Sequence, residues 1–221
     1  MLTELVLDVP VAPWRDFGFV IRPHSDHLHT VIAGVRFVFS PAHVTPGEGP
    51  VTGITSWAFD DESARRSGDV DRRDVATGFD VDGLTTRFAP APIETVDEGL
   101  QATAIDHVVV TTPSLERTCG AIEASLGFPL KRTRDAGGGV RQGFHRVGPV
   151  IIEVVERPDL GADEPARLWG VVFTVDDLDD ITTRLGPDKI GTPKDAVQPG
   201  RRIATVRSGA GLVVPVALMT A

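Results

Sequence analysis

Two residues combine a reactive side chain with apolar surroundings, which makes them the first candidates for chemistry. Glu153 lies in a run of valines and isoleucines, and Ile151 and Val155 share its face if the run is a strand. A carboxylate there is costly to bury unless it is paired, bound to a ligand or lining a wet cavity. His107 lies in a similar β-branched run, where an imidazole can bind a metal, bind a substrate or form a satisfied core group. We therefore predict Glu153 and His107 as catalytic or ligating residues, with an ion pair to a neighbouring arginine as the alternative for Glu153.

Arg141 and His145 lie on a predicted strand between these two candidates in the chain. Strand alternation places them on one face and Gln142 and Phe144 on the other. If Arg141 and His145 face a binding site, they can bind an anionic group of a substrate or supply a further ligand. If they do not, they face solvent.

The segment with the most metal-like composition contains His24, Asp26, His27 and His29. His27 and His29 would share one face of a strand. The segment also coincides with a predicted turn, where Ser, Asp and His are common for conformational reasons. A metal site and an ordinary polar turn are both compatible with this pattern.

Other catalytic patterns are missing from the sequence. The single cysteine, Cys119, excludes an intrachain disulfide and falls on the apolar stripe of a predicted helix, which indicates a buried structural thiol. The glycines at 137–139 lack the Lys-Ser/Thr ending of a phosphate-binding loop and do not open a helix. No Ser-His-Asp arrangement and no dinucleotide fingerprint is readable.

The elements that position these residues follow a repeated order in the second half of the chain. The β-branched run at 104–112 predicts a strand. A helix is predicted next, with an apolar stripe at helical spacing and its end at Gly127. The stripe consists of Leu115, Cys119, Ile122 and Leu126. Three more strands complete a βαβββ unit. They are predicted at 128–134, 140–147 and 150–156.

The same order then returns, and an internal repeat of this kind is a strong architectural signal. A strand at 169–175 leads into a helix at 178–185, capped by Asp176 or Asp177 and ended by Gly186. Three short extended segments complete the second unit. They are predicted at 190–196, 202–206 and 212–218.

The first hundred residues resemble a degenerate copy of this plan. We predict a degenerate domain at 1–95, an acidic linker at 96–103 and a regular domain at 104–221. The regular domain consists of modules 104–160 and 166–221. In the degenerate half, residues 62–74 are charged and show only a weak helical pattern. Strands are predicted there at 2–9, 28–33, 35–39, 53–60, 77–81 and 84–88.

Composition and charge limit the possible partners. The chain has 221 residues, 41% of them hydrophobic, and a formal charge of −9. This charge disfavours nucleic acid and anionic membrane surfaces and favours a cationic or neutral small ligand. No window has the roughly 18 apolar residues of a membrane helix, and the N-terminus lacks signal-peptide features, so we expect a cytoplasmic protein. A monomer and a homodimer are both compatible with the sequence.

In their order and spacing, several short motifs resemble the vicinal oxygen chelate superfamily, which includes glyoxalases, bleomycin-resistance proteins and extradiol dioxygenases. The resemblance covers 104–221 well and 1–100 loosely. It implies an α+β fold in which tandem βαβββ modules form cupped mixed sheets around a small-molecule or metal site. The motifs that carry it are at 105–110, 112–116, 126–128, 150–153 and 172–178.

The resemblance also implies where metal ligands would lie, on the first and fourth strands of each module. His107 and Glu153 match this pattern and would hold a divalent Fe, Mn, Ni or Zn ion, with a metal-free site as the equal alternative. In the second module the first-strand position is Gly170, and the fourth strand at 213–217 has no ligating side chain. In the N-terminal half, Glu4 could ligate, whereas Val38 and Ile54 could not.

Two functions from different classes follow from the resemblance. The first is a divalent-metal-dependent lyase, isomerase or dioxygenase acting on a small oxygenated molecule held near His107 and Glu153. The second is a metal-free protein that binds or sequesters a small molecule, as in the bleomycin-resistance branch. Because one fold hosts many functions, the resemblance does not choose between them.

Overall fold

The computed structural model describes residues 1–40, 53–60, 78–93 and 99–221. In these ranges the strands form two mixed sheets, one from each half of the chain. None of the helices there is long and apolar enough to cross a membrane. The α-helices within the described ranges are α1 (Val11–Phe17), α2 (Leu115–Leu126) and α3 (Leu178–Leu185).

The C-terminal sheet has eight strands in the order β13-β14-β15-β12-β8-β11-β10-β9. Strands β8 and β12 are antiparallel neighbours at its centre, and each has the last long strand of its own module beside it in parallel. The two predicted βαβββ modules are therefore confirmed. Their strands are β8 (Ala102–Thr112), β9 (Leu130–Gly137), β10 (Val140–Val147), β11 (Val150–Glu156), β12 (Arg167–Val175), β13 (Lys194–Asp195), β14 (Arg202–Thr205) and β15 (Val216–Met219).

Helix α2 ends at Gly127, as its sequence predicts, and begins after Ser114. The Ser114 side chain accepts a hydrogen bond from the backbone N–H of Arg117 and caps the first turn. Gly127 ends the helix in the left-handed region, at φ 67°, which glycine adopts without steric cost. The predicted apolar stripe is buried against the sheet, which fixes the helix on one face of its module.

The N-terminal sheet repeats this plan with seven strands in the order β2-β3-β4-β1-β5-β7-β6. Here too the two central strands are antiparallel, and each has a parallel neighbour. The predicted degenerate copy is confirmed in its strand order. The charged segment 62–74 lies outside the described residues, as do residues 96–98 of the predicted linker. The strands are β1 (Leu2–Asp8), β2 (Arg22–His24), β3 (His27–Ile32), β4 (Val35–Phe39), β5 (Gly53–Phe59), β6 (Phe79–Val81) and β7 (Leu84–Phe88).

The buried faces of the two sheets share one hydrophobic core. The ring of Phe173 on β12 lies 5.5 Å, centroid to centroid, from the rings of both Phe19 and Phe37. The indole Nε1 of Trp14 donates a hydrogen bond to the carbonyl of Leu212 across the same boundary, at 3.2 Å. A division into domains at 95 and 104 stays a prediction, because these buried contacts connect the two halves.

The sequence-based strand at 190–196 is longer than the strand that forms. Only Lys194–Asp195 pairs as β13, and Ile190 makes an isolated bridge to Val206. Pro193 lies between these two points and has no N–H to donate to a neighbouring strand. The outer edge of the C-terminal sheet is consequently short.

Candidate active site in the C-terminal sheet

The face of the C-terminal sheet opposite α2 is concave. Strands β13 and β9 form the two opposite edges of this eight-stranded sheet. Nevertheless, Lys194 of β13 and Arg132 of β9 line the same cavity. This cavity has a volume of 470 Å³ and also contacts His107, Gln142 and Glu153. A smaller cavity of 280 Å³ adjoins it and shares these three side chains. The sheet is therefore curved far enough to enclose a small molecule.

The structure brings His107 and Glu153 together on this concave face. Their strands are parallel neighbours, with His107 beside Ile151 in the register. The distance between His107 Nε2 and Glu153 Oε2 is 3.2 Å, and the two side chains are 13% and 14% exposed. Both groups are thus largely removed from water but reachable from the cavity.

A second carboxylate orients the His107 ring. Asp106 Oδ2 lies 2.7 Å from His107 Nδ1, and Arg201 Nη1 donates to Asp106 Oδ1 at 2.6 Å. Burial by itself would raise the pKa of Asp106, but the hydrogen bonds from His107 and Arg201 outweigh it and hold this pKa below its ordinary value. Asp106 is then an ionised acceptor, so the proton of the contact must be on Nδ1 of His107.

This arrangement places a single proton between His107 and Glu153. With Nδ1 already protonated, Nε2 of a neutral ring carries a lone pair directed at Glu153. A lone pair facing a carboxylate oxygen at 3.2 Å is favourable only when one of the two atoms holds a proton. The contact therefore corresponds either to an imidazolium with a carboxylate or to an imidazole with a carboxylic acid.

Gln142 completes the polar part of the site. Its Nε2 donates to Glu153 Oε1 at 2.5 Å, which leaves Oε2 of Glu153 for the contact with His107. The Gln142 amide oxygen is buried and accepts no hydrogen bond from the described part of the chain. A ligand with a hydroxyl or N–H group would satisfy this acceptor.

Sequence reasoning did not single out Gln142, Asp106 or Arg201. A signal for Gln142 was present, because strand alternation places it on the face opposite Arg141, which is the face of Glu153. Asp106 precedes His107 directly, but neighbouring strand residues ordinarily point to opposite faces. Arg201 lies in a loop nearly a hundred residues further along the chain, and no local pattern connects it to the site.

The second module contributes an apolar wall. Val172, Ala217 and Met219 form a small buried cluster there, and Ala217 lines the smaller cavity. At Gly170, the first-strand position, an added Cβ would lie 2.6 Å from the carbonyl oxygen of Pro215. The backbone of the neighbouring strand thus leaves no space for a ligating side chain at this position.

The donor set does not fit a resident divalent metal. The 3.2 Å between His107 Nε2 and Glu153 Oε2 suits two adjacent ligands of one ion. However, Val172 and Ala217 line the side of the cavity that the second module supplies, and neither side chain has a donor atom. Residues 1–40, 53–60, 78–93 and 99–221 contain no group of three or more His, Cys, Asp or Glu side chains arranged for an ion.

Arg141 and His145 lie on the opposite face of the sheet, under α2, and are not part of the concave site. Arg141 Nη1 pairs with Glu116 of α2 at 2.6 Å, and its Nη2 pairs with Glu156 at 2.5 Å. His145 is 1% exposed, and its Nδ1 donates to the carbonyl of Phe128 at 2.8 Å. Burial lowers the pKa of His145. Neither the predicted binding face nor the solvent-facing alternative describes His145, because it is a core residue.

The remaining candidates also lie away from the concave site. The rings of His24, His27 and His29 pack against one another on the β2–β3 hairpin in tilted and edge-to-face arrangements, with centroids 5.1 to 6.0 Å apart. His27 Nδ1 contacts Asp26 at 3.1 Å. Glu4 forms ion pairs with two arginines of its own sheet, Arg36 and Arg87.

Cys119 is a buried structural thiol, as expected. It lies on the sheet-facing side of α2, and burial raises its pKa to about 11. At neutral pH the group is a thiol and not the thiolate that nucleophilic catalysis requires.

Comparison with solved structures identifies the architecture. A mutant of 4-hydroxymandelate synthase from Streptomyces coelicolor superposes with a TM-score of 0.68 at 15% identity, covering 99% of this chain and 91% of that chain. The chain has the vicinal-oxygen-chelate fold. At this identity the similarity shows the fold and not the reaction.

Weaker similarities involve about half of this chain. Methylmalonyl-CoA epimerase from Mycobacterium tuberculosis gives a TM-score of 0.45 at 19% identity, covering 54% of this chain and 89% of that chain. A methylmalonyl-CoA epimerase from Streptomyces coelicolor gives 0.44 at 20% identity, covering 54% and 98%. No family model matches the sequence, and no curated protein matches it at a significant level.

Proposed function

We propose that the C-terminal cup binds a small oxygenated molecule and that His107 and Glu153 exchange protons with it. The reaction class would be an isomerisation or an elimination at a carbon next to a carbonyl. The observation that carries this proposal is the 3.2 Å contact between His107 Nε2 and Glu153 Oε2 at a cavity. A pair that holds one proton between two atoms is suited to give and to take protons.

Each residue has a defined role in the proposed step. Glu153 removes a proton from the carbon, and the electron pair of the broken C–H bond moves into the carbonyl group. The carbonyl oxygen, now an enolate oxygen, takes the proton from Nε2 of His107. Asp106 and Arg201 are positioning residues, because they keep the other nitrogen of the ring protonated. Gln142 holds the Glu153 carboxylate by its second oxygen.

The test is hydrogen exchange at carbon, which does not require knowledge of the product. Small α-hydroxyketones, 2-oxo acids and 1,3-dicarbonyl compounds are incubated in D₂O with EDTA, and loss of the C–H signal is followed by NMR. We expect Glu153→Gln and His107→Asn to slow the exchange of an accepted compound by about 10²- to 10⁴-fold, the usual contribution of a general acid or base. Glu123→Gln, an exposed carboxylate of α2, is the matched control.

Two results would contradict this proposal. One is the absence of exchange in every compound class with the wild-type protein. The other is exchange that persists in Glu153→Gln at the rate of the control. Metal analysis of untagged protein purified without chelators adds a third check, because near-stoichiometric metal that is lost in His107→Ala would show that the donor set does hold an ion.

A metal-free binding protein is the second candidate, and the apolar wall of Val172, Ala217 and Met219 favours it. Trp169 lines the smaller cavity and is 45% exposed, so its fluorescence reports on ligand entry. A fluorescence change that disappears in Trp169→Phe, without exchange at carbon, would select this function. Exchange that depends on Glu153 would select the enzyme.

A further inference from the structure

We infer that the ligand of the concave cup is an organic anion and that its carboxylate or phosphate group binds to Arg132, Arg134 and Lys194 at the mouth. This inference depends on the proposed function and names the substrate class of the same site. The three cations line the 470 Å³ cavity that His107, Gln142 and Glu153 also contact.

Strand register places the two arginines on the same face as the reactive pair. Arg134 is opposite Gln142 and Arg132 is opposite Phe144 in the pairing of β9 with β10. Phe144 is in turn opposite Glu153 in the pairing of β10 with β11. Paired residues point to one side of a sheet, so these side chains all project from the concave face. Strand β9 is two strands from β11, so the backbone positions of the two arginines and of Glu153 are roughly 10 Å apart across the sheet.

The three cations have no carboxylate partner in the described ranges of the chain. Arg132 stacks its guanidinium over the Phe144 ring, with Cζ 4.7 Å from the centroid, which holds it on this face. Arg134 and Lys194 form no ion pair with any described residue. Several other arginines of this half are paired with carboxylates, such as Arg201 with Asp106. The cations at the mouth are therefore free to bind an anion from outside.

The local charge at the mouth differs from the charge of the whole chain. The net charge of −9 favoured a cationic or neutral ligand, but the mouth of the site is lined by three basic side chains. Asp195 and Glu153 are the two acidic residues in the lining, and Glu153 is already in contact with His107. Charges beyond a Debye length, about 8 Å in physiological salt, contribute little to ligand binding here.

The surface between the basic mouth and the His107–Glu153 pair is largely apolar. Ile203 and Met219 line the larger cavity, and Val109, Val155 and Ala217 line the smaller one. The matching ligand has an anionic group at one end, an oxygenated carbon at the other and an apolar chain or ring between them.

The experiment compares two dyes of similar shape that differ in charge. The anionic dye is 8-anilinonaphthalene-1-sulfonate, and the uncharged dye is N-phenyl-1-naphthylamine. Dissociation constants are measured by fluorescence for the wild type, Arg132→Gln/Arg134→Gln and Lys194→Gln. Lys131→Gln is the matched control, because Lys131 is an exposed cation of the same strand that does not line the cavity.

We expect the wild type to bind the anionic dye at least about tenfold more tightly than the uncharged dye, the scale of a charge-assisted hydrogen bond. The double variant should lose this preference, Lys194→Gln should weaken it, and Lys131→Gln should retain it. Equal affinity for the two dyes in the wild type, or no detectable binding of either dye, would overturn the inference. A preference that survives in the double variant would overturn it as well.

Competition by phenylacetate and by phenyl phosphate then distinguishes a carboxylate ligand from a phosphate ligand, with phenylacetamide as the uncharged comparison. The Glu153→Gln variant separates this inference from the proposed function. If it keeps the preference for the anionic dye, the anion site stands whatever the outcome of the exchange assay. If exchange at carbon depends on Glu153 but the dye preference is absent, the proposed function stands and the anion site does not.

Discussion

At the scale of single residues, what a side chain does depends on its partners. His107 and His145 are both imidazoles on strands of the same sheet. His107 has a carboxylate at each nitrogen and lies at a cavity, whereas His145 donates to a carbonyl and lies in the core. The first environment supports proton transfer, and the second keeps the ring neutral.

The burial of His145 makes the stability of the protein depend on pH. Because its pKa is lowered in the folded state, the unfolded chain binds a proton at about pH 6.5 that the folded chain does not. The free energy of unfolding should therefore decrease as pH falls below about 6.5. In His145→Asn, whose amide nitrogen can keep the hydrogen bond to Phe128, we expect a shallower decrease.

Urea unfolding at pH 7.5 and 5.5 measures this difference. The comparison between wild type and variant removes the contribution of the other five histidines. Equal pH slopes for the two proteins would show that His145 is protonated with the same pKa in the folded and unfolded chains.

Residue patterns predicted part of the site. Glu153 stood out because a carboxylate in an apolar strand requires a partner, and the structure supplies two, His107 and Gln142. Arg141 could not be assigned in the same way, because alternation gives two faces without saying which is concave. Its ion pair with Glu116 depends on the position of α2 over the sheet, and its ion pair with Glu156 depends on the register of β10 with β11.

At the scale of elements, the close contact of β12 with the chain before β15 explains why the second module has no ligating side chain at its first-strand position, Gly170. The carbonyl of Pro215 accepts a hydrogen bond from the N–H of Val171 at 3.1 Å. This contact brings the Pro215 oxygen to the position that a Cβ on Gly170 would occupy. The missing donor at this position is thus a consequence of backbone packing.

Two glycine substitutions test this explanation in opposite directions. Gly170→Ala should reduce the free energy of unfolding by about 1–3 kcal/mol, because the backbone must shift to accept the methyl group. Gly120→Ala should increase it by about 0.5–1 kcal/mol, since Gly120 is in α2 and an added Cβ meets nothing within 4 Å. Chemical denaturation of both variants is the measurement. A neutral or stabilising Gly170→Ala would mean that this position has room for a side chain.

At the scale of the whole molecule, the two sheets depend on each other for burial. Phe173 belongs to the C-terminal sheet, but its ring neighbours Phe19 and Phe37 belong to the N-terminal half. Arg117 Nε also pairs with Asp82 at 2.7 Å, which connects α2 to the turn between β6 and β7. We therefore expect the two halves to unfold together.

Phe173→Ala tests this expectation. The side chain is fully buried, so its loss should cost about 3–5 kcal/mol and lower the unfolding temperature of the whole chain in one transition. Phe144→Ala, a half-buried ring of the concave face, is the control and should cost less. If calorimetry instead shows two separate transitions, and Phe173→Ala shifts only one of them, the two halves unfold independently.

Most elements and their repetition could be predicted from the sequence, because hydrophobic periodicity and turn residues act over a few neighbouring positions. These patterns predicted the tandem βαβββ modules, the end of α2 at Gly127 and His107 and Glu153 as candidate site residues. The concave face, the cations that line its mouth and the close approach of Pro215 to Gly170 became known only from the folded chain. These features depend on contacts such as Arg201 with Asp106, between residues far apart in the chain, and no local pattern encodes them.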